Sequence, residues 1–329
     1  MSTHLSLAVP AYKLLQARAS DRQAKARARG TELGRQSSVR SYLKFCRRMS
    51  INPHRPVYQD ICCWIEDLAG HALSPATIRN KVSHLRVHAT LVGISVKPMN
   101  HPRVARALDA LDRDKNYTHR KTDAIPVAAL KLVILALPPN PIGTAIRAAI
   151  LIMYHAALRQ SEVLPPSIAR WESTKHPTRG DIKITTYGLS MRVKWAKNMQ
   201  GYRDCKSVQL ATTQDSRFCV VQTLQQHMRE APTQNPKQPL IVFPGSTRPI
   251  PISLARRLWI KANKLAALHS KGYTMHSVRR AAATEAHRAG CQEIDIQAYG
   301  GWSSNAHRRY IKSTRTTAVN AAISQALNP

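Results

Sequence analysis

The sequence predicts a mainly α-helical protein with a small β-sheet, divided into two domains. Apolar residues recur at helical spacing in the first third of the chain and again towards its end. Between these parts, alternating or β-branched runs at 182–187, 189–195 and 207–210 predict three strands. Residues 113–123 are polar and basic and lack an apolar pattern, so we expect a linker there.

The first domain is expected to be a helical bundle over residues 35–112, preceded by a basic arm at 1–34. Ser38 is a candidate cap for the first helix, and Ser74 followed by Pro75 is a typical start for the third. The residues predicted to face inward are Val39, Tyr42, Leu43, Cys46 and Met49; Val57, Ile61, Cys62, Ile65 and Leu68; Ile78, Val82, Leu85 and Leu91; and Val104, Leu108 and Leu111.

The second domain, at 124–329, is expected to combine the three strands with further helices. Thr274 is a plausible cap and Gly290 a plausible stop for one of these helices. The predicted helices cover 127–137, 143–158, 218–230, 254–268, 275–289 and 292–299. A short amphipathic helix is expected in the tail, with Ala318, Ala322, Ile323 and Leu327 on one face.

The charge of the chain predicts a polyanionic partner. Lys and Arg number 50 against 18 Asp and Glu, which gives a formal net charge of +32. No single amphipathic basic helix dominates, so double-stranded DNA is favoured over a membrane surface. The third helix carries a basic face that we expect to bind DNA, formed by Arg79, Lys81, His84 and Arg86.

Other features favour an intracellular, DNA-associated protein, nuclear in a eukaryote or in the nucleoid of a prokaryote. The most apolar window, 145–158, contains Arg147 and is too short to cross a bilayer. The N-terminus lacks the charged region of a signal peptide. The six cysteines form no C-x-x-C pair, and we expect reduced, mostly buried thiols and no metal site.

Five residues in a fixed order point to chemistry on a phosphodiester. Arg159 follows an apolar helix, and His276 and Arg279 are spaced to share one helix face, with Trp302 and Tyr310 downstream. Arginine binds phosphate oxygens with a permanently charged, bidentate fork. A histidine can hydrogen-bond the same phosphate and handle the nucleophile's proton, and a tyrosine can form a reversible phosphodiester.

This ordered set resembles the tyrosine recombinase (phage integrase) family. The resemblance covers residues 35–312 and rests on Ala157-Leu158-Arg159-Gln160-Ser161-Glu162, His276-x-x-Arg279, Gly301-Trp302 and Tyr310. The run from His276 to Tyr310 is most similar to recombinases of DIRS-type and Crypton-type eukaryotic mobile elements. The spacing from Trp302 to Tyr310 is one residue shorter than in many bacterial members.

The resemblance implies a role for each residue. Arg159 and Arg279 would clamp the scissile phosphate, and His276 and Trp302 would complete its hydrogen bonds. Glu162 would orient these side chains without contacting the phosphate itself. Tyr310 would be the nucleophile. Lys197, before the third strand, best matches the hairpin lysine that protonates the leaving 5′-oxygen, with Lys194 as the alternative.

The resemblance also implies the overall reaction and its partners. The protein would cleave and rejoin duplex DNA through a 3′-phosphotyrosine, without a metal or nucleotide cofactor, in integration or excision of a mobile element. It would act as a homo-oligomer on DNA, a dimer that forms a tetramer in synapsis. The tail helix would dock on a neighbouring protomer or fold back on its own domain, and the sequence favours neither.

Three alternatives to recombination remain. A type IB topoisomerase-like enzyme uses the same chemistry, but the size and the helical first domain favour recombination. A catalytically inactive, recombinase-derived DNA-binding protein is disfavoured because every expected catalytic residue type is retained. A metal-dependent nuclease is the weakest alternative, because no cluster of carboxylates offers ligands for Mg²⁺.

Overall fold

The computed structural model describes residue 18 and residues 29–113, 123–185, 188–196 and 206–302. The chain divides into two compact units, Met1–Arg120 and Lys121–Pro329. The predicted tail helix and most of the predicted arm and linker lie outside the described residues.

The described part of the first unit is a bundle of four helices: α1 (Arg29–Arg48), α2 (Tyr58–Gly70), α3 (Pro75–Leu91) and α4 (Pro102–Arg113). Its core is formed by aromatic and branched residues at helical spacing, and burying them provides the main stabilisation of the bundle. The fully or nearly fully buried members include Tyr42, Phe45, Cys46, Ile61, Trp64, Ile65, Ile78, Val82, Leu85, Met99 and Val104.

Most inward-facing predictions for this bundle are confirmed, and the exceptions have geometric reasons. Tyr42, Phe45 and Cys46 form a narrow face on α1, so Leu43, one residue to the side, is exposed. Met49 follows the end of α1, Val57 precedes the first residue of α2, and Leu91 is the last residue of α3, so these three are also exposed.

The predicted cap of α3 is confirmed, and the predicted cap of α1 is wrong. Ser74 Oγ accepts a hydrogen bond from the Thr77 N–H at 3.1 Å, with Pro75 in the first turn. The helix α1 instead begins at Arg29, inside the predicted arm. Ser38 is therefore internal, and its hydroxyl donates to the Gly34 carbonyl at 2.8 Å.

The second unit combines helices with a three-stranded sheet. The helices of its described part are α5 (Val127–Leu135), α6 (Pro141–His155), α7 (Gln160–Val163), α8 (Val220–Glu230), α9 (Ile252–Leu265), α10 (Met275–Arg288) and α11 (Glu293–Gly300). The strands β1 (Ile182–Thr185), β2 (Gly188–Val193) and β3 (Lys206–Ala211) pair antiparallel in chain order. This mainly α architecture with a small sheet is the predicted fold class.

Helix α6 is the centre of the second core and positions the site at its C-terminal end. Ten of its residues are buried, and it packs against α8 and α10. Asn140 caps it by accepting the Gly143 N–H at 3.0 Å. A Cβ at Gly143 would lie 1.8 Å from the Pro138 carbonyl oxygen, so this close approach requires glycine.

Several finer predictions for the second unit can be compared with its structure. Helix α10 starts after Thr274 and ends at Arg288, and Gly290 has a left-handed φ of +84°, as expected of a stop. No helix in the described part of the chain is long and apolar enough to cross a membrane. Two of the five described cysteines are buried and two are exposed, so the expectation of mostly buried thiols is wrong.

Candidate active site

A buried carboxylate joins the two predicted phosphate-binding arginines. Glu162 is 2% exposed and its Oε1 accepts from Arg159 Nη1 at 2.6 Å. Its Oε2 accepts from the Arg159 backbone N–H at 2.8 Å and lies 3.4 Å from Arg279 Nη1. A carboxylate with both oxygens bonded in this way restricts the orientation of both guanidinium groups. Arg159, Glu162 and Arg279 therefore form one cluster.

The local fold explains how Arg159 reaches this cluster. Helix α6 ends at His155, and Ala157 has a left-handed φ of +48°, which turns the chain. Arg159 then has extended backbone angles at the start of α7, where the carboxylate of Glu162, three residues later, accepts its backbone N–H.

The end of α11 covers Arg279. The Gly300 carbonyl accepts from Arg279 Nη2 at 2.7 Å, and the Arg279 guanidinium carbon lies 4.3 Å from the centroid of a Trp302 ring. A Cβ at Gly300 would lie 1.7 Å from that indole, so the approach of Trp302 requires glycine there. Gly301, with a φ of +65°, ends the helix and allows Trp302 to turn back.

His276 lies one turn before Arg279 at the start of α10 and is exposed. Surrounding protein atoms still remove part of the hydration of its ring, and the positive charges of Arg280, Arg279 and Arg159 add to this effect. Together they lower the pKa of His276 to about 4. The imidazole is therefore neutral near pH 7, and one ring nitrogen is available to accept a proton.

Lys206, a residue that the sequence analysis did not select, also lies in this cluster. Burial and the charge of Arg279 lower the pKa of its ammonium to about 8, while Glu162 acts in the opposite direction. Its Nζ is buried and has no hydrogen-bond acceptor among the described residues. The position of Lys206 beside Val208 and Leu210 on the inward face of β3 was the available signal.

Lys194, the alternative for the hairpin lysine, forms an ion pair outside the cluster of Arg159, Glu162 and Arg279. Its Nζ pairs with the buried carboxylate of Asp181 at 2.5 Å and lies 3.4 Å from Thr178 Oγ1. Lys197, the first choice, and Tyr310, the predicted nucleophile, both lie outside the described residues. The structure thus brings together Arg159, Glu162, His276, Arg279 and Trp302 of the predicted site.

In the first unit, three of the four predicted DNA-binding residues contact their own unit. Arg79 pairs with Asp109 and Asp112 of α4, and these carboxylates raise its pKa. The His84 ring lies 3.0 Å from Ser38 Oγ, and Arg86 donates to the Met99 carbonyl at 3.2 Å. Lys81 makes no hydrogen bond or ion pair with the residues that the structure describes.

The charge balance of the cluster suits an anion. Arg159, Arg279 and Lys206 carry three positive charges against the one negative charge of Glu162, and His276 is neutral, so together they carry a net charge of +2. In a partly buried site such a charge strongly attracts phosphate, and it can stabilise additional negative charge in a transition state.

Comparison with solved structures identifies the fold. The chain is similar to a lambda integrase dimer bound to a COC′ core site, with a TM-score of 0.61, 13% identity, and 91% of this chain and 94% of that chain covered. It is also similar to the Tn1549 transposon integrase in complex with transposon right-end DNA, with a TM-score of 0.62, 16% identity and coverage of 92% and 97%. The XerH recombinase in a post-cleavage complex with a palindromic difH substrate has a TM-score of 0.55, 14% identity and coverage of 81% and 72%.

The comparisons by sequence find nothing. No protein-family model matches the chain, and no curated protein matches it. The solved structures show the fold of the chain: it is that of tyrosine recombinases, with a helical first domain and a second domain that combines helices with a small sheet.

Proposed function

We propose that this protein is a tyrosine recombinase that cleaves and rejoins duplex DNA. The observation that carries the proposal is the bridging of Arg159 and Arg279 by the buried Glu162, beside His276 and Trp302. A fold shared with DNA-bound recombinases supports the same conclusion. The net charge of +32 supplies the long-range attraction to DNA.

The chemistry follows from these residues. Arg159 and Arg279 bind the non-bridging oxygens of the scissile phosphate, and His276 and Trp302 complete its hydrogen bonds. The Tyr310 oxygen attacks phosphorus and forms a 3′-phosphotyrosine, while the bond to the 5′-oxygen breaks. Lys197 donates the proton that the leaving oxygen needs, and neutral His276 receives the phenolic proton. The steps run in reverse when a second DNA end reclaims the phosphate.

We further propose that the protein acts in integration or excision of a mobile element. The Tn1549 integrase, whose structure contains transposon end DNA, supports this biological role by its similar fold. Other similar structures contain a lambda integrase dimer at a core site and a tetramer at a Holliday junction. By analogy, we propose that this chain assembles as a dimer on its site and as a tetramer in synapsis.

A catalytically inactive DNA-binding protein is the alternative of another class, and a topoisomerase-like enzyme is the alternative with the same chemistry. The desolvated Lys206 argues against the inactive protein, because simple DNA binding does not require a buried ammonium. Strand exchange between two duplexes distinguishes recombination from relaxation of a single one.

A nicked duplex that traps the covalent intermediate tests the proposal. Incubated in a chelator without nucleotide, the wild-type protein is expected to form a covalent adduct through the 3′-phosphate of the cleaved strand. Tyr310→Phe is expected to abolish this adduct and to leave DNA affinity nearly unchanged, because binding depends on charges spread over the chain. Denaturing gels detect the adduct, and peptide mass spectrometry maps it.

Tyr299 provides the matched control. Its hydroxyl donates to the His155 carbonyl, so it is already engaged, and Tyr299→Phe should still form the adduct. An adduct that persists in Tyr310→Phe, or that maps to Tyr299, would refute the assignment of the nucleophile. Dependence of cleavage on added Mg²⁺ would refute the metal-free reaction.

A further inference from the structure

Among the described residues, none accepts a hydrogen bond from the ammonium of Lys206. Lys206 is paired with Val193 of β2, which is uncharged, at the first position of β3. The charged groups that face it are Arg279 of α10 and Glu162 of α7. Its Nζ is buried without a hydrogen-bond partner among the described residues. A buried ammonium in this state destabilises the fold, and a ligand that accepts its hydrogen bonds would offset that cost.

The ammonium of Lys206 lies over the aromatic ring of Tyr299. The Nζ lies 4.8 Å from the centroid of Tyr299, a residue of α11. The Tyr299 hydroxyl donates to the His155 carbonyl at the end of α6, which anchors the ring at its far end. A tyrosine face attracts a cation and replaces some of the hydration that a buried ammonium loses. The ring therefore stabilises the charged form of Lys206 without using any of its three hydrogen-bond donors.

We propose that Lys206 is a further phosphate-binding residue of this site and that Tyr299 is its positioning residue, holding the ammonium beside Arg279. The proposal rests on the proposed function, because the acceptor for the ammonium is the scissile phosphate. Two donors of Arg279 are bonded to Gly300 and Glu162. Lys206 has three donors, and no described residue accepts a hydrogen bond from its Nζ, so it adds to the donors of Arg279 one that can bind the phosphate.

Charge balance gives the role its physical basis. The phosphodiester carries one negative charge, and a second develops as the nucleophile adds to phosphorus. With Lys206 charged, the described cluster matches that dianion. With Lys206 neutral, the site has one positive charge fewer to stabilise the negative charge that develops on the phosphate. Binding of phosphate also supplies the missing acceptor and favours the ammonium.

The first test measures how cleavage depends on pH. The second-order rate constant at subsaturating DNA reports the free protein, so in the wild type it should fall above about pH 8, where Lys206 loses its proton. Removing the ring in Tyr299→Leu removes stabilisation of the ammonium, so this alkaline decline should move about half to one pH unit lower. Tyr299→Phe keeps the ring and should keep the position of the decline. Lys206→Arg should remove the decline, because a guanidinium does not titrate there.

A matched control separates positioning from general damage to α11. Ile296→Ala removes a buried side chain of the same helix that contributes no ring to Lys206. It should lower the melting temperature, but leave the alkaline decline in place. An unchanged decline in Tyr299→Leu, or an equal shift in Ile296→Ala, would overturn the positioning role.

A second readout does not require activity. Competitive acetylation with trace anhydride, followed peptide by peptide, measures the pKa of Lys206 in DNA-free protein. The pKa should be well below those of exposed lysines and lower still in Tyr299→Leu. Because charged Lys206 destabilises the fold below that pKa, Lys206→Met should raise the urea midpoint at pH 7 while reducing cleavage by at least about a hundredfold.

The outcomes distinguish the two proposals. If the wild type forms no covalent adduct but acetylation shows the expected shifts, the proposed function fails and the lysine–tyrosine pair stands. If the adduct forms and Lys206→Met cleaves normally, the proposed function stands and the phosphate-binding role of Lys206 is overturned. An ordinary acetylation profile for Lys206 in both proteins overturns the pairing itself.

Discussion

At the residue scale, the carboxylate of Glu162 decides how the two arginines are presented. It accepts both the side chain and the backbone N–H of Arg159 and lies beside Arg279. Exposed pairs of this kind contribute little to stability, but a 1%-exposed carboxylate between guanidinium groups restricts their rotation. We interpret Glu162 as a residue that keeps both arginines ready for phosphate, which reduces the reorganisation needed when DNA binds.

The two lysines assigned different roles can be separated by the chemistry of the leaving group. On ordinary DNA, Lys197→Ala is expected to slow cleavage by about 10²–10⁴, the typical contribution of a general acid. A 5′-bridging phosphorothiolate has a sulfur leaving group of low pKa that needs no proton, so most of this loss should be recovered. Lys206→Ala should stay slow on both substrates, because phosphate binding is still missing. Single-turnover cleavage measures these rates.

Lys194→Ala is the matched control for this experiment. Its ammonium is paired with Asp181, so it should show no selective recovery on the phosphorothiolate. If the cleavage rate on the phosphorothiolate recovers in Lys206→Ala and not in Lys197→Ala, then Lys206 is the general acid and Lys197 binds the phosphate.

The residues that sequence reasoning identified share a strong local signal, and Lys206 has a weaker one. His276 and Arg279 are spaced for one helix face, and Arg159 follows a helix that is almost wholly apolar. Lys206 could have been recognised from its alternation with Val208 and Leu210, which puts a charged residue on the buried face of a strand. Its contact with Tyr299 depends on the packing of α11, which no local pattern predicts.

At the element scale, a buried ion pair fixes the start of the sheet that carries Lys206. Asp181 directly precedes β1, and Lys194 and Arg192, at the end of β2, both pair with its carboxylate. Burial alone would raise the pKa of Asp181, but hydrogen bonds from Lys194 and Thr178 outweigh it and lower that pKa. The pair thus ties β1 to β2, the strand against which β3 is aligned.

Asp181→Asn should show how much this ion pair contributes to the free energy of unfolding. The substitution leaves the Lys194 ammonium, 13% exposed, without its carboxylate, so we expect a loss of about 3 kcal/mol in the free energy of unfolding. Urea titration measures it. The folded pKa of Asp181 is depressed, so its stabilisation is present above the unfolded value of about 4 and is lost as pH falls through the folded value. The difference from wild type should therefore shrink in acid.

Lys194→Met combined with Asp181→Asn provides the control for that experiment. Removing the stranded charge as well should recover part of the lost stability. A double variant as unstable as Asp181→Asn would attribute the loss to the Thr178 hydrogen bonds instead.

Elements were predictable where periodicity and caps agreed. The predicted strands overlap the observed ones, and Ser74 with Pro75 marks the start of α3. The cap predicted at Ser38 was wrong because serine is common at helix caps but also occurs inside helices. Here its hydroxyl donates to a carbonyl of the preceding turn. Short tertiary contacts, such as Trp302 against Gly300, cannot be read from periodicity.

At the scale of the whole molecule, each unit carries an exposed basic row with the same helical spacing. Arg40, Lys44 and Arg47 form the row of α1, and Arg257, Lys261 and Lys264 form the row of α9. All six side chains are exposed, and no hydrogen bond or ion pair of the described residues involves them. Arg79 and Arg86 are less available, since they already have partners. We therefore expect the two rows to supply phosphate contacts in addition to Lys81.

Salt dependence measures these contacts. Each phosphate contact contributes about 0.9 to the slope of log K against log salt concentration. Replacing either row by glutamine should lower the slope by about 2 to 3, and replacing both should have an additive effect if both units bind the same duplex. The control is Arg48→Gln with Arg217→Gln and Arg288→Gln, which removes the same charge from arginines already paired with Asp67, Asp215 and Glu285. That variant should change the slope much less, because a paired arginine displaces fewer counterions. Equal losses in the control and the row variants would show that net charge alone, and not these two surfaces, determines DNA affinity.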